Sequence, residues 1–400
     1  MGRVFNTTGV CIPEKHYMVN INGRLQQIRV LVDEGKYFTI NRARQYGKTT
    51  TLRALAEILR DEYYVVLLDF QTFDNEKFSN GNVFSVAFAG SFLRVLRRNC
   101  KTMNNEMVSV IEEMKKDADY ANRYFSLKEL FEGLSDICEA ADRKIVLMID
   151  EVDSAANNQV FIDFLAQLRA QYLDREFYPG FQSVILAGVY DIKNLKRKLR
   201  PEEGHRYNSP WNIAADFSIE MSFSGSEIAG MLQEYEIDHR TEMNISKISE
   251  LLYAYTAGYP FLVSRICQLM DERVRDEYEN LKLVWTENGF NEAVRILLAE
   301  KNPLFESLVG KICDYPELSV MLKTLLFTGR NIAYNPDETS IDMAQMFGFI
   351  KNQNGNVVIA NRIFETRLYN YYLTEAKMQQ TEIYKAALQD KSQFIVNGYL

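Results

Sequence analysis

Along the first 220 residues, short unbroken apolar runs alternate with longer stretches in which apolar residues recur every three or four positions, the patterns of buried strands and amphipathic helices. Leu25, Ile28, Val30 and Leu31 stand among polar residues at helical spacing, so a helix is predicted over 24–34 with Gly35 as its left-handed C-cap. Phe38-Thr39-Ile40 reads as a buried strand, 49–60 as a helix and 63–70 as a second strand, reached by a connection short enough for a right-handed βαβ crossover. Residues 83–116 look helical, and Ser126-Leu127-Lys128-Glu129 is a capping box that opens a helix running to about 141. Ile145-Val146-Leu147-Met148-Ile149 is an apolar run of the kind that fills a central parallel strand. Phe161, Phe164, Leu165 and Leu168 form a helical stripe over 161–172, Ser183–Gly188 reads as another buried strand, and a last strand is expected near Phe217-Ser218-Ile219. The prediction is an α/β fold, a parallel and mostly buried sheet with helices on both faces.

Beyond residue 220 the pattern turns helical. Ser224-Gly225-Ser226-Glu227 is a second capping box, 245–255 reads as a helix, and Ala257-Gly258-Tyr259-Pro260 breaks into another over 261–273. Helices are expected near 304–313, 318–329 and 340–347, followed by two strand-like runs about Asn354-Gly355, a strong hairpin signal. Three helices and a hairpin suggest a winged helix. The chain is thus divided into a sheet domain over 1–220, a helical lid over 221–300, a winged helix over 301–375 and a polar helical connector over 376–400.

The candidate chemistry falls at strand ends. The Phe38 strand runs into Asn41-Arg42-Ala43-Arg44-Gln45-Tyr46-Gly47-Lys48-Thr49-Thr50, most of a phosphate-binding loop. In such a loop backbone N–H groups wrap the phosphates, the Lys ammonium reaches their outer oxygens, and the Ser/Thr hydroxyl ligates Mg²⁺ at a helix N-terminus. Arg44, Gln45, Tyr46, Gly47, Lys48, Thr49 and Thr50 are therefore the nucleotide-binding candidates. Arg42 stands where GxxxxGK[ST] has its first glycine, so the match is incomplete. About a hundred residues on, the Ile145 run ends in Asp150-Glu151. A carboxylate is costly to bury unpaired. Asp150, with Thr49, is a candidate to hold Mg²⁺ through its water shell, and Glu151 to polarise the attacking water; the bland alternative is two acids marking a strand end. Asp69, Tyr190 and Asp191 are expected at the same edge of the sheet, the last two as γ-phosphate sensors or as an ordinary strand-exit turn.

Composition narrows the choice. Hydrophobic residues make up 47% of the 400, ample for two or three globular domains. No apolar run approaches the roughly 20 residues that span a bilayer and no leader pattern is present, so a cytoplasmic protein without a membrane partner is expected. Cys11, Cys100, Cys138, Cys267 and Cys313 lack CxxC spacing and read as core or interface residues. His16, His205 and His239 are equally dispersed, which argues against a zinc site or a Ser-His-Asp hydrolase. A net charge of −8 does not indicate a nucleic-acid partner; Lys193, Lys196, Arg197, Lys198 and Arg200, with Arg206, are either a solvated helix face or a local contact.

Taken together these residues resemble the bacterial AAA-ATPase-like proteins, close to the signal-transducing ATPases with numerous domains (STAND) and the archaeal-type ATPases. The resemblance rests on Phe5-Asn6-Thr7-Thr8-Gly9, Cys11-Ile12-Pro13 and His16-Tyr17-Met18-Val19, on the Arg42 to Thr49 loop and Ile149-Asp150-Glu151-Val152-Asp153, and on Ser209-Pro210-Trp211-Asn212-Ile213-Ala214, Gly258-Tyr259-Pro260 and Ile359-Ala360-Asn361-Arg362-Ile363-Phe364-Glu365. Loops of the form RxRxxGK[ST] are usual in that group. The resemblance implies ATP with Mg²⁺, places Pro260 near the adenine as a reporter to the winged helix, and puts Tyr17 to Val19 at the adenine border. A helix N-terminal proline is the other reading of Pro260. Two departures are visible: Val189-Tyr190-Asp191 stands where relatives often carry a sensor arginine, and the common nuclease-like extension is not expected in a chain that stops at Leu400. The expected function is a P-loop switch that binds and slowly hydrolyses ATP, coupling nucleotide state to lid and winged helix and signalling to a protein partner. The alternatives are a non-hydrolysing interaction scaffold and a DNA-dependent ATPase of a defence-type system.

Overall fold

A computed structural model describes residues 2–99, 103–189, 211–277 and 280–374. Tyr190, Asp191, the basic run from Lys193 with Arg206, Ser209-Pro210 and the 376–400 connector lie outside the described residues. The chain divides into two compact units, one of Ile21–Arg42 and Lys48–Glu220, the other of Met1–Asn20, Ala43–Gly47 and Met221–Leu400.

In the first unit four strands, β3 (Phe38–Asn41), β4 (Tyr64–Asp69), β5 (Ile145–Asp150) and β6 (Ser183–Gly188), form an all-parallel sheet in the order β3-β6-β5-β4. The strands β1 (Val4–Phe5) and β2 (His16–Tyr17) belong to the other unit. Alternate strand residues sort the two faces. Tyr64, Val66, Leu68, Ile145, Leu147, Ile149, Val184 and Leu186 share a core with Phe84, Phe88 and Phe92 of α3 (Gly81–Asn99), Leu130 and Leu134 of α5 (Leu127–Ala140) and Phe161 and Phe164 of α6 (Gln159–Leu173). The intervening residues Val65, Val146, Met148, Ile185 and Ala187 are equally buried, on the side where α2 (Lys48–Leu59) packs on β4, β5 and β6, with α1 (Asn22–Asp33) against α2. Burying each such side chain contributes about 1.5–3 kcal/mol, and the tilted and edge-on rings of Phe70, Phe84, Phe88 and Phe164 add packing specificity. Asp69 pairs with Asp150 and Asn41 with Gly188, so the polar strand ends share one edge of the sheet.

β3 and β4 lie at opposite edges of the sheet, with β5 and β6, which arrive later in the chain, between them. The helical pattern over 83–116 resolves into two helices, α3 and α4 (Asn105–Asp117), and Asn104 caps the second by accepting from the Met107 N–H at 2.7 Å. One expectation is corrected. Phe217-Ser218-Ile219 forms no strand. Among the described residues of this segment only Ala215 bridges to Phe38, and the carbonyls of Ile219 and Glu220 accept instead from the side chains of Arg42 and Arg24, at 2.9 and 2.7 Å.

The other unit is mainly helical. Its first strands, β1 (Val4–Phe5) and β2 (His16–Tyr17), pair in parallel and are too short to leave a periodic signal in the sequence. Phe5 and Tyr17 pack with Tyr235 and Trp285, and Arg3 bridges to Glu234 and Asp238 of α7 (Gly225–His239). The Ser224 capping box opens α7 as predicted. There follow α8 (Ile245–Thr256), α9 (Pro260–Glu272), the single turn α10 (Leu281–Val284), α11 (Glu287–Ala299), α12 (Pro303–Asp314), α13 (Pro316–Phe327) and α14 (Thr339–Met346). An antiparallel hairpin of β7 (Ile350–Gln353) and β8 (Asn356–Ile359) turns at Asn354-Gly355, with φ of 52° and 80°, the left-handed pair that a two-residue hairpin needs. The final described helix is α15 (Arg362–Thr374). Among the described residues no helix is long and apolar enough to cross a membrane. Cys267 is buried in α9 as expected, whereas Cys313 is exposed.

Candidate nucleotide site

The site begins where β3 ends. The Arg42 N–H donates to Gly188 O at 3.2 Å, which ties the root of the loop to β6. Gln45 and Gly47 are left-handed, at φ 58° and 78°, and turn the loop before α2 opens at Lys48. A side chain at position 47 would be strained by that backbone, so this glycine has a conformational reason. Lys48 is 6% exposed and its ammonium donates to Arg42 O at 2.9 Å.

A hydrogen bond joins the two distant motifs. Thr49 Oγ1 donates to Asp150 Oδ2 at 2.6 Å, and the other carboxylate oxygen of Asp150 accepts from the Glu151 N–H at 3.0 Å. Asp150 is 4% exposed. Burial raises its pKa above the usual carboxylate value, and Asp69 adds to the rise, while the Thr49 hydroxyl, the Glu151 N–H and the Lys48 charge oppose it. A hydroxyl and a buried carboxylate side by side are a hard oxygen donor pair, and the raised pKa marks a negative charge short of compensation; both fit Mg²⁺. Glu151 then departs from the strand in the left-handed region, φ 53°, a conformation that costs a non-glycine residue energy and recurs at functional sites. Asp153, two residues on, accepts from the Val189 N–H at 2.6 Å and so fastens the end of β6. Asp69 accepts from the Gln71 N–H at 2.8 Å, capping its own turn.

The loop residues Ala43–Gly47 belong with the helical unit, and their partners there are specific. Tyr259 is buried and donates its hydroxyl to Arg44 O, and its ring meets that of Tyr46 edge-on at 4.6 Å. Burial lifts the Tyr259 phenol well above its ordinary pKa, so it is a neutral donor. The Tyr46 hydroxyl lies 2.8 Å from Ser222 Oγ. Gly348, just before β7, lies so close that a Cβ there would stand 2.8 Å from the Ala43 Cβ.

Lys48, Thr49, Asp150 and Glu151 are therefore brought together. Arg44 is exposed with its carbonyl held by Tyr259; Gln45, Tyr46, Gly47 and Thr50 are half-buried along the loop and first turn. Pro260 is the first residue of α9, buried, directly after Tyr259. Tyr17 is buried and donates to Asp238 at 2.8 Å. The sequence pattern assigns no site role to Tyr259, Ser222, Asp153 or Gly348, although Tyr259 and Asp153 stand within the motifs that carry the family resemblance.

A Walker-type ATPase of Pyrococcus abyssi has a similar structure, with a TM-score of 0.61 at 13% identity over 91% of this chain and 99% of that one. So does the ORC2 protein of Aeropyrum pernix, solved as ADPNP and ADP complexes, with a TM-score of 0.51 at 13% identity over 98% of each chain. The sheet, the loop at the head of α2 and these likenesses define the class, a P-loop NTPase fold. Within it, the chain belongs to the family of the AAA-like domain, whose model matches residues 12–375. An uncharacterized WD repeat-containing protein of Synechocystis is 22% identical over 249 residues, 60% of this chain, and the chain spans only 19% of that protein's length.

Proposed function

We propose that this protein binds Mg-ATP at the Arg44 to Thr50 loop and hydrolyses it slowly, as a switch. The observation that carries the reading is the 2.6 Å bond from Thr49 to Asp150, which sets the two metal-side groups against each other from the head of α2 and the end of β5, elements remote in sequence. In this reading the loop N–H groups wrap the phosphates and Lys48 neutralises their outer oxygens. Thr49 and Asp150 would hold Mg²⁺, which when bound would supply charge neutralisation to the phosphates. Glu151 orients a water and accepts its proton as the water oxygen bonds to the γ-phosphorus and the bond to the β-phosphate oxygen breaks, giving ADP and phosphate. Pro260 takes the adenine-side role implied by the family resemblance.

The switch half of the proposal draws support from contacts made by the loop itself. Tyr259 and Gly348 touch residues 43–46, so a change in loop conformation has immediate neighbours at the head of α9 and before the hairpin. We assign 1–220 to the ATPase domain, 221–300 to a lid, 301–375 to a winged helix and 376–400 to a connector, in a cytoplasmic protein. The third helix of that winged helix, Thr339–Met346, contains Asp342 and neither Lys nor Arg, which favours a protein partner over DNA. Phosphate release measured with and without DNA tests the whole reading. Turnover without DNA supports the switch, binding without turnover would leave a scaffold, and strong stimulation by DNA would favour a motor.

A further inference from the structure

Arg42 occupies the place where a phosphate loop of the GxxxxGK[ST] kind has a glycine, and its backbone shows no need of one. It is absent from the residues with positive φ, which in this loop are Gln45 and Gly47. Four polar connections bear on its position. Its N–H donates to Gly188 O at 3.2 Å, Nη1 donates to Asn41 O at 2.9 Å, Nη2 donates to Ile219 O at 2.9 Å, and its own carbonyl accepts the Lys48 ammonium at 2.9 Å. The guanidinium also lies over the Phe217 ring, 5.4 Å from its centre, and Phe217 stacks on Phe38 of β3. A planar side chain with donors on two nitrogens can bridge two carbonyls and a ring face at once, which glycine cannot do and lysine does only in part.

We infer that Arg42 is a positioning residue for nucleotide binding: its guanidinium clamps the root of the phosphate loop between β3 and the 215–220 segment and so holds the carbonyl that aims Lys48. The inference rests on the nucleotide reading above. It makes a counterintuitive demand, that restoring the consensus glycine should harm the site. Arg42→Gly removes the clamp and adds chain freedom at the loop root.

The test is calorimetric titration of Mg-ATP into the full chain and its Arg42→Gly and Arg42→Lys variants, at a temperature where circular dichroism shows each folded. Arg42→Gly is expected to weaken binding about tenfold, the scale of a lost charge-assisted contact, with Arg42→Lys recovering part of the loss. A residue that merely supports the fold would lower the melting temperature and leave the affinity of the folded protein unchanged, so equal affinity in wild type and Arg42→Gly overturns the inference while the nucleotide reading stands. No binding by the wild type overturns that reading, and the inference with it. Should Arg42→Gly not fold, the comparison of wild type, Arg42→Lys and Arg42→Gln decides: descending affinity in that order supports the clamp, and equal affinity refutes it.

Discussion

Lys48 and Thr49 sit in the first turn of α2, where four backbone N–H groups lack helical partners and the helix dipole favours an anion. Removing the Lys48 charge by Lys48→Ala should therefore weaken ATP binding by tenfold or more, about 1.4 kcal/mol, in a calorimetric titration. Unchanged affinity would remove the loop from the account. Glu151→Gln keeps the side-chain shape and loses the base. Phosphate release should fall on the order of 10²-fold with binding nearly intact, and equal turnover would exclude Glu151 from the chemistry. Asp150 gives a prediction with a sign. Its folded pKa is raised, so the folded state binds its proton more tightly than the unfolded chain, and the stability this confers at low pH is lost as pH rises through the folded value. Without nucleotide, Asp150→Asn should thus melt above the wild type at neutral pH, and the gap should close as pH falls towards the ordinary Asp range. A gap that widens on acidification would mean that the carboxylate is stabilised by its partners. At this scale Gly47-Lys48-Thr49 and Asp150-Glu151 were legible because their residue types are chemically unusual where they stand. Tyr259 was not, since a tyrosine among apolar residues has the pattern of any core residue, and only the fold reveals that its hydroxyl meets Arg44 O.

Elements with a strong local pattern came through the sequence reading well. The Ser126 and Ser224 capping boxes, the Ser183–Gly188 strand and the Asn354-Gly355 turn each have a local physical cause, and each is where the pattern put it. Strand order was beyond reach, because the insertion of β5 and β6 between β3 and β4 is a matter of long-range packing that leaves no periodic trace. Phe217-Ser218-Ile219 misled for a related reason: beside an edge strand, the Ile219 carbonyl accepts from the Arg42 side chain and the adjoining Glu220 carbonyl from Arg24, in place of ladder bonds. The contact of Tyr259 with the loop belongs to the head of α9. Tyr259→Phe keeps the ring against Tyr46 and deletes the donor to Arg44 O, a loss of about 0.5–1.5 kcal/mol in thermal or denaturant unfolding. Stability equal to wild type would show that water replaces the hydroxyl without cost.

At the scale of the whole molecule, nucleotide state would reach the helical unit through the short stretch Ala43–Gly47, which belongs to that unit although it is continuous in chain with β3 and α2. Linkage requires that a nucleotide which shifts this stretch be itself shifted in affinity when the stretch's neighbours are altered. Gly348→Ala, which would press a methyl group towards Ala43, should accordingly change the ratio of ATP to ADP affinity, and a ratio equal to wild type would place Gly348 outside the coupling. The most direct measurement of the central claim is hydrogen exchange of the full chain without nucleotide, with ADP and with ATP and Mg²⁺. The account predicts protection of 42–50 with either nucleotide, and a difference between ADP and ATP at 258–265 and at the 349–360 hairpin. Identical exchange in all three conditions would contradict it.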